Sequence, residues 1–486
     1  MMDFIGRKYE LELLNSLTSK KSASLVVIKG RRRIGKSRLT EEFAKNYQFY
    51  SFSGIPPHKK TTDLSERKAF LKQLKKYFKK EIIDSDDWWD MFWFLAEKTK
   101  TGRVVILFNE ISWMGSKDPD FLGKLKTVWD TCFKKNKQLI LILCGSVSIW
   151  IEKNILASTG FVGRLSLQLT LSELPLNKCN QFFNERLNQL SSYDKFKFLS
   201  ICGGIPRYLE EWQSASSVDQ NINRMCFNQS GILFNEFDQI FYDSLSSEAE
   251  IYKRIILTLL NSPLEREIIA KKLDRVPGGD LSDYLDNLVS SGFVSRDYTW
   301  HIKDRKNSKL SQYRLSDNYL RFYLKYIKPH ENTIKSGKYK VQSLSNLSAW
   351  STIIGLQFEN LVISNKESIY KILNINSDEV EIDGPFFQRA TTKTKGCQID
   401  FLIQTKTAVL YACEVKFSRN EIKTNIISEM KNKLSTLSVP RRFSCLPVLI
   451  HVNGVHDKVI DSNYFFKIID FSEFSTCEKS SVWMSN

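Results

Sequence analysis

Two groups of residues in this sequence have types and spacings that suit phosphate chemistry. The first is the run Gly30-Arg31-Arg32-Arg33-Ile34-Gly35-Lys36-Ser37, which fits the pattern GxxxxGK[ST]. The glycines permit a tight loop whose backbone N–H groups face phosphate oxygens. Lys36 suits the β- and γ-phosphates, and the Ser37 hydroxyl suits Mg²⁺. The run follows an apolar strand and opens a helix, so it predicts a nucleotide phosphate site.

The second group is Asp400, Glu414 and Lys416 near the C-terminus. Strands near 398–404 and 408–417 are expected to form a hairpin about Lys406. That register sets Asp400 opposite Ala412 and makes Glu414 its diagonal neighbour on the same face, at about 7–8 Å between Cα atoms. Asp400 and Glu414 are then expected to hold Mg²⁺, with Lys416 orienting a metal-bound hydroxide toward a phosphodiester. A solvated sheet edge is the alternative.

Glu359 lies on the predicted helix before these strands and is expected to complete the second site, directly or through water. The triplet Glu-x-Lys is weak evidence by itself, because it recurs at Glu66, Glu421 and Glu429. The order of the four residues on elements of the expected type is what makes the pattern more specific.

Further polar residues are expected at the first site. Asn109 ends the strand after the loop, where an Asp near the metal is typical, and Glu110 is placed to polarise the attacking water. Ser146 and Ser148 follow the third strand and are candidates to sense the γ-phosphate. Two arginines are candidates for phosphate contacts or are surface cations, namely Arg164, from a neighbouring subunit, and Arg207.

The chain resembles prokaryotic AAA-family ATPases close to the STAND class that carry a winged helix and a restriction-endonuclease-like C-terminal domain. The resemblance rests on the motifs FIGR at 4–7, GRRRIGKS at 30–37, NE at 109–110, CGSVS at 144–148, GR at 163–164 and GGIPRYL at 203–209. It implies that the segment from Phe4 to Arg7, with Gly6 and Arg7 as the binding residues, lies near the adenine and that the Pro206 segment belongs to a lid. Glu359, Asp400, Glu414 and Lys416 look like the PD-(D/E)XK nuclease pattern.

Alternating buried runs and helical patterns predict an α/β fold with a parallel P-loop sheet. We expect a helical lid, a winged helix-turn-helix and a C-terminal α/β restriction-endonuclease-like domain to follow. Tyr313 to Ile327 is expected to be an amphipathic helix. The expected boundaries are 1–164 for the core, 165–240 for the lid, 241–330 for the winged helix and following helix, 331–349 for a linker and 350–486 for the nuclease-like domain.

The third helix of the predicted winged helix carries Asp280, Asp283 and Asp286 on one face. Three carboxylates oppose DNA at the position of a recognition helix, so a structural role or contact through the hairpin is favoured. The hairpin is basic, with Arg296, Lys303, Arg305, Lys306 and Lys309.

The charge balance agrees with a polyanionic partner. Lys and Arg number 71 against 54 Asp and Glu, which gives a formal charge of +17. Nine scattered cysteines and five histidines predict neither a disulfide frame nor zinc, and we expect a cytoplasmic protein without a leader or membrane helix.

Two functions remain open from the sequence. The first is an ATP-binding ATPase coupled to a Mg²⁺-dependent DNA nuclease that contacts the DNA backbone and forms a homo-oligomer. The second is a nucleotide-dependent switch or scaffold protein with little hydrolysis and no cleavage, which Asn109 favours. A transposon- or defence-associated ATPase is a third possibility that the sequence does not separate from the first.

Overall fold

The computed structural model describes residues 4–56, 61–79, 85–146, 149–183, 190–245, 249–339, 343–392 and 395–475. The chain forms two compact units, Met1–Leu174 with Asp238–Ala249, and Pro175–Phe237 with Glu250–Asn486. The predicted lid, hairpin region and C-terminal part lie largely within the second of these units. No helix of the described ranges is long and apolar enough to cross a membrane.

The first unit is built on a five-stranded parallel sheet. Its strands are β1 (Ser24–Gly30), β2 (Gln48–Ser53), β3 (Val104–Asn109), β4 (Ile140–Ser146) and β5 (Leu165–Leu171), in the order β2-β3-β4-β1-β5. Its helices are α1 (Lys8–Ser16), α2 (Lys36–Ala44), α3 (Asp63–Tyr77), α4 (Trp88–Lys98), α5 (Ile111–Gly115), α6 (Phe121–Thr131) and α7 (Ile149–Ile151).

The central strands are buried on both faces, as their unbroken apolar runs predict. Successive residues of β1 enter opposite cores, since Leu25 and Val27 pack in one cluster and Val26 and Ile28 in the other. Because β1, β3 and β4 are parallel, their carboxyl ends lie at one edge of the sheet. Ligands bind at this edge in open α/β sheets.

The strand β5 corrects the prediction that the chain turns helical at Leu165. Leu165, Leu167, Leu169 and Leu171 alternate with polar residues, which is the period of a strand and not of a helix. The strand pairs with β1 in parallel. The predicted boundary at residue 164 therefore lies one strand too early.

The second unit begins with helices. They are α8 (Leu176–Cys179), α9 (Ser192–Cys202), α10 (Pro206–Leu209) and α11 (Val218–Cys226), followed by α12 (Ile232–Leu245), which runs into the part assigned to the first unit. Next come α13 (Ala249–Thr258), α14 (Arg266–Lys272), α15 (Asp280–Ser290) and a hairpin of β6 (Val294–His301) and β7 (Lys306–Leu315).

Three helices and a hairpin are thus present where the sequence predicts them. On α15, Leu281, Leu285 and Leu288 are buried, whereas the three aspartates of the helix are exposed. The amphipathic pattern of α15 was therefore correctly interpreted.

The region after the hairpin differs from the prediction in two places. Tyr313 lies in β7, and the helix α16 (Asn318–Phe322) begins only after Asp317, whose carboxylate accepts a hydrogen bond from the backbone N–H of Leu320 at 2.8 Å. The predicted linker 331–349 contains the helix α17 (Glu331–Lys335), and its apolar residues Ile334 and Leu344 are buried. Burial of these side chains fixes the segment, so it is not a free linker.

The C-terminal part contains a mixed five-stranded sheet in the order β12-β11-β10-β9-β8. Strand β9 is antiparallel to its two neighbours β8 and β10, whereas β10, β11 and β12 are parallel. The elements are α18 (Trp350–Ser364), α19 (Lys366–Ile372), β8 (Val380–Gln388), β9 (Cys397–Thr405), β10 (Val409–Phe417), α20 (Asn425–Thr436), β11 (Ser444–Val452), α21 (Asp457–Asp461) and β12 (Lys467–Asp470).

Candidate functional site

The loop between β1 and α2 has the geometry that its glycines and lysine predict. Gly35 has a left-handed φ of 93°, and a Cβ atom on Gly30 would lie 2.8 Å from the carbonyl oxygen of Leu171. Lys36 is buried, and its ammonium donates to the carbonyl oxygens of Gly30 at 3.0 Å and Arg31 at 3.2 Å. The loop therefore curls around the Lys36 ammonium, as a phosphate-binding loop requires.

Ser37 and Asn109 meet across the sheet edge, although 72 residues separate them. The Ser37 hydroxyl donates to Oδ1 of Asn109 at 3.0 Å. The sequence predicted that both residues lie near the metal of a nucleotide, without predicting a direct contact between them. A neutral amide oxygen thus occupies the place where the motif usually has a carboxylate.

Glu110 follows directly in a left-handed conformation, with φ of 54°. Its carboxylate accepts hydrogen bonds from the backbone N–H of Ser146 at 3.2 Å and from the Ser146 hydroxyl at 3.5 Å. The predicted base and the predicted γ-phosphate sensor are therefore neighbours. Ser148 lies outside the described residues.

The segment that includes Gly6 and Arg7 reaches the same loop. Gly6 and Arg7 both have positive φ, and the Arg7 guanidinium donates to the carbonyl oxygens of Ile34 at 3.3 Å and Ser172 at 2.5 Å. Arg7 thus connects the N-terminal segment to the loop and to the residue after β5. This placement is compatible with the expected position beside a nucleotide.

Four further candidate arginines contact side chains of their own unit. Arg32 and Arg33 donate to Oε1 of Gln239 at 3.1 and 3.4 Å. Arg164 forms a bidentate pair with Asp130, with N–O distances of 2.9 to 3.2 Å, and this pair lowers the pKa of Asp130 to about 2. Arg207 is 43% exposed and pairs with two glutamates of the following residues, Glu210 at 3.3 Å and Glu211 at 2.8 Å.

The second group of predicted residues converges on the C-terminal sheet, in a different register from the predicted one. Phe401 pairs with Cys413, so continuing the antiparallel register by one residue sets Asp400 opposite Glu414 instead of diagonal to it. The turn has the expected three residues but lies one residue later, at 406–408, where Ala408 adopts a φ of 62° and the Thr405 hydroxyl accepts from the Val409 N–H. The two carboxylates are therefore closer neighbours than the sequence suggested.

The charges around these carboxylates are paired. Glu414 is 1% exposed, and its Oε1 lies 2.9 Å from the Lys416 ammonium. Oδ2 of Asp400 accepts from the Val415 N–H at 2.8 Å. Burial and the charge of Glu414 raise the pKa of Asp400 to about 6, against the opposing effect of Lys433. Burial acts against ionisation of Lys416, but the charge of Glu414 raises the pKa of that lysine.

Lys433 on α20 belongs to this site, and sequence reasoning missed it. Its ammonium lies 2.5 Å from Oε2 of Glu414 and 3.5 Å from Oδ1 of Asp400. No motif spacing marks a lysine on a helix 17 residues beyond Lys416 in a chain rich in lysine. The one available signal was the amphipathic pattern of α20, whose buried Met430 places the helix against the sheet.

Glu359 on α18 lies near the same group, as its electrostatics show. Burial, followed by the charge of Asp400, raises the pKa of Glu359 to about 8, and the arginines Arg321 and Arg314 oppose the shift. The neighbouring Asn360 fixes the helix through a hydrogen bond to Asn318 at 2.8 Å. Within the described part of the chain, no three His, Cys, Asp or Glu side chains are arranged as a ready-made set of metal ligands.

Comparison with known proteins identifies the first site. The profile of a family described as an ATPase domain predominantly from Archaea matches residues 4–212. Residues 4–212 are therefore similar to an ATPase domain. The chain is therefore an ATP-binding P-loop ATPase.

Individual relatives of the ATPase have low identity or short matches. An uncharacterized protein of Methanocaldococcus jannaschii is 24% identical over 379 residues, which are 77% of this chain and 79% of the relative. An uncharacterized ATP-binding protein of the same organism is 42% identical over 43 residues, 9% of this chain and 73% of the relative. The Walker-type ATPase of Pyrococcus abyssi aligns with 66% of this chain and 96% of its own, at 14% identity and a TM-score of 0.48.

Within the ATPase domain, sequence reasoning missed the role of Glu66 on α3. Its carboxylate is 2% exposed and accepts from the Ile55 N–H at 3.1 and 3.2 Å. The adjacent Gly54 N–H donates to the carbonyl oxygen of Asn109 at 3.0 Å. Glu66 therefore supports the segment that packs against Asn109 and Glu110, whereas in the sequence it was only one more Glu-x-Lys triplet.

Proposed function

We propose that the ATPase is coupled to a Mg²⁺-dependent nuclease that acts on DNA through the C-terminal sheet. The observation that carries the proposal is the meeting of Asp400, Glu414 and Lys416 on adjacent strands, with the half-buried Glu359 near them. Carboxylate oxygens are the ligands that Mg²⁺ prefers, so Asp400 and Glu414 fit this ion in donor chemistry. The same four residues carry the resemblance of the sequence to the restriction-endonuclease-like pattern, which supports the proposal.

The roles follow from the contacts of each residue. Bound Mg²⁺ would neutralise charge on a phosphodiester and lower the pKa of a water ligand. Asp400 and Glu414 would hold the ion, and the Val415 N–H orients Asp400 for that task. Lys416 is 35% exposed, so its ammonium can contact both Glu414 and an incoming phosphate. Glu359 would add a third carboxylate, directly or through water.

We assign DNA contact to the hairpin of β6 and β7, as in a winged helix whose wing binds the backbone. Lys303, Arg305, Lys306 and Lys309 are exposed at its turn, whereas the three exposed aspartates of α15 repel phosphates. Arg296 fits this role less well, because its guanidinium contacts Ser311 at 3.0 Å and Asp286 at 3.8 Å. Further basic residues that we propose as candidates for backbone contact are Lys325, Lys328, Lys335, Lys338, Arg441 and Arg442. Lys340, in the same basic stretch, lies outside the described residues.

We also propose that Mg²⁺ accompanies ATP at Ser37, and that Arg164 acts on a neighbouring subunit of a homo-oligomer. The contact between the Ser37 hydroxyl and the Asn109 amide oxygen supports the first proposal, since both are hard oxygen donors. An Arg164 acting in trans has to leave Asp130, its partner in the structure.

A nucleotide-dependent switch or scaffold protein is the second candidate function. Asn109 favours it, because a neutral side chain beside Ser37 adds no charge to the metal shell. In this case ATP binding, rather than turnover, would change the state of the chain, and the C-terminal sheet would hold DNA or protein without cutting it.

The experiment that separates the two functions is a cleavage assay with purified full-length protein, Mg²⁺ or Mn²⁺, and single-stranded, duplex and branched DNA. We expect the wild type to cut at least one substrate and Asp400→Asn or Lys416→Met to cut none. Glu421→Gln is the matched control, because Glu421 opens another Glu-x-Lys triplet and is exposed. Absence of cleavage by the wild type, or equal cleavage by Asp400→Asn, would leave the switch as the function.

A further inference from the structure

Lys433 holds a special position among the groups around the C-terminal carboxylates. Of the two oxygens of Glu414, Oε1 faces Lys416 and Oε2 faces Lys433. Of the two oxygens of Asp400, Oδ2 accepts from the Val415 N–H and Oδ1 faces Lys433. Among the described residues, Lys433 is thus the side chain that the structure pairs with both carboxylates.

A divalent ion shared by Asp400 and Glu414 needs one oxygen from each. The two oxygens that face Lys433 are the pair that a single movement would release, since the other two are held by separate partners. An ammonium and a divalent ion cannot share this position, because like charges repel strongly where water is scarce. Glu414 is 1% exposed and the Asp400 side chain 14% exposed, so solvent screens that repulsion poorly.

The lysine can leave without unfolding its helix. Its backbone carbonyl oxygen accepts from the Thr436 hydroxyl at 2.8 Å and from the Cys397 thiol at 3.3 Å, so α20 stays in place. The side chain is 30% exposed and has a flexible four-carbon stem. Rotation of that stem alone would take the ammonium to the surface, where a phosphate is a suitable new partner.

We propose that Lys433 is a built-in counter-ion that occupies the cation position between Asp400 and Glu414 and yields it to a divalent ion when a nucleic-acid phosphate takes over the ammonium. This inference rests on the proposed function, because it assumes a cation site at these carboxylates. It adds a regulation of that site. Metal binding and DNA binding become coupled, so each strengthens the other by the same factor.

The coupling can be tested without any catalytic step by measuring Mn²⁺ binding to the full-length chain. The electron paramagnetic resonance signal reports the concentration of free Mn²⁺. Nucleotide is omitted, and the binding is measured with and without a phosphorothioate duplex whose own Mn²⁺ uptake is subtracted. The Mn²⁺ that is lost in Asp400→Asn defines the C-terminal site. Lys431→Met is the matched control, since Lys431 is an exposed lysine on the same helix.

Without DNA, Lys433→Met is expected to bind Mn²⁺ at least about tenfold more tightly than the wild type and Lys431→Met. With DNA, the wild type and Lys431→Met gain about tenfold, whereas Lys433→Met gains little. Lys433→Gln keeps a polar side chain on the helix and is expected to bind Mn²⁺ more tightly than the wild type, as Lys433→Met does. It serves as a second variant in case Lys433→Met does not fold.

One outcome is that the wild type cuts DNA and that Asp400→Asn loses Mn²⁺, but Lys433→Met binds Mn²⁺ no more tightly than the wild type. This outcome would overturn the inference and leave the nuclease standing. Tighter binding by Lys433→Met without DNA cleavage by the wild type would uphold the inference and overturn the nuclease. Absence of the Asp400-dependent Mn²⁺ in every variant would overturn both.

Discussion

Replacing Glu66 with glutamine is expected to stabilise the ATPase domain in a pH-dependent way. The carboxylate of Glu66 is 2% exposed, and burial raises its pKa from 4.5 to about 7, although the hydrogen bond from Ile55 opposes the shift. An ionised carboxylate at this position is therefore costly. Glutamine keeps one oxygen that can accept from the Ile55 N–H and carries no charge.

The direction of the pH dependence follows from proton linkage. Between about pH 4.5 and pH 7 the folded chain binds the Glu66 proton more tightly than the unfolded chain, so its contribution to the free energy of unfolding falls as the pH rises. A pKa difference of about 2.5 corresponds to about 3 kcal/mol in total. Between pH 5 and pH 8 the contribution of Glu66 to the free energy of unfolding falls by about 2.5 kcal/mol, since part of the total change has already occurred below pH 5.

Thermal denaturation of full-length wild type, Glu66→Gln and Glu12→Gln at pH 5, 6, 7 and 8 measures this effect. The Tm of Glu66→Gln relative to the wild type is expected to rise by roughly 5–10 °C from pH 5 to pH 8 in the transition of the ATPase domain. Glu12→Gln is the control, because the Glu12 side chain is 62% exposed. A Tm difference that stays constant over this pH range would refute the reasoning.

Two further predictions concern turnover and DNA contact. Asn109→Asp places a charge beside Ser37 and is expected to raise the rate of phosphate release from ATP by about tenfold. Glu110→Gln is expected to abolish phosphate release and to retain ATP binding. An unchanged rate in Asn109→Asp would show that Asn109 does not limit hydrolysis. The double variant in which glutamine replaces both Arg305 and Lys306 is expected to bind DNA more weakly. The magnitude of the slope of log affinity against log salt concentration is expected to fall by about 2. An unchanged slope would place the DNA contact elsewhere.

The sequence by itself determined the parts of this protein that depend on local patterns. The phosphate loop, with its strand and helix, follows from a motif in which each residue type has one physical task. The acidic face of α15 and the order of Glu359, Asp400, Glu414 and Lys416 were also readable, because helix and strand periods are fixed by backbone geometry.

The tertiary structure decided what depends on contacts between distant segments. The strand β5 joined the parallel sheet because its alternating leucines find β1, more than a hundred residues earlier. A shift of the three-residue turn by one position, to 406–408, set the register that places Asp400 opposite Glu414. Such choices are made by packing and turn geometry, not by the pattern of either strand alone.

The same reason explains the two functional residues that the sequence did not reveal. Glu66 and Lys433 are ordinary members of a Glu- and Lys-rich chain until α3 and α20 pack against their sheets. Burial then gives one of them a pKa near 7 and sets the other between two carboxylates. Charge is visible in a sequence, but the loss of water that makes a charge consequential arises only on folding.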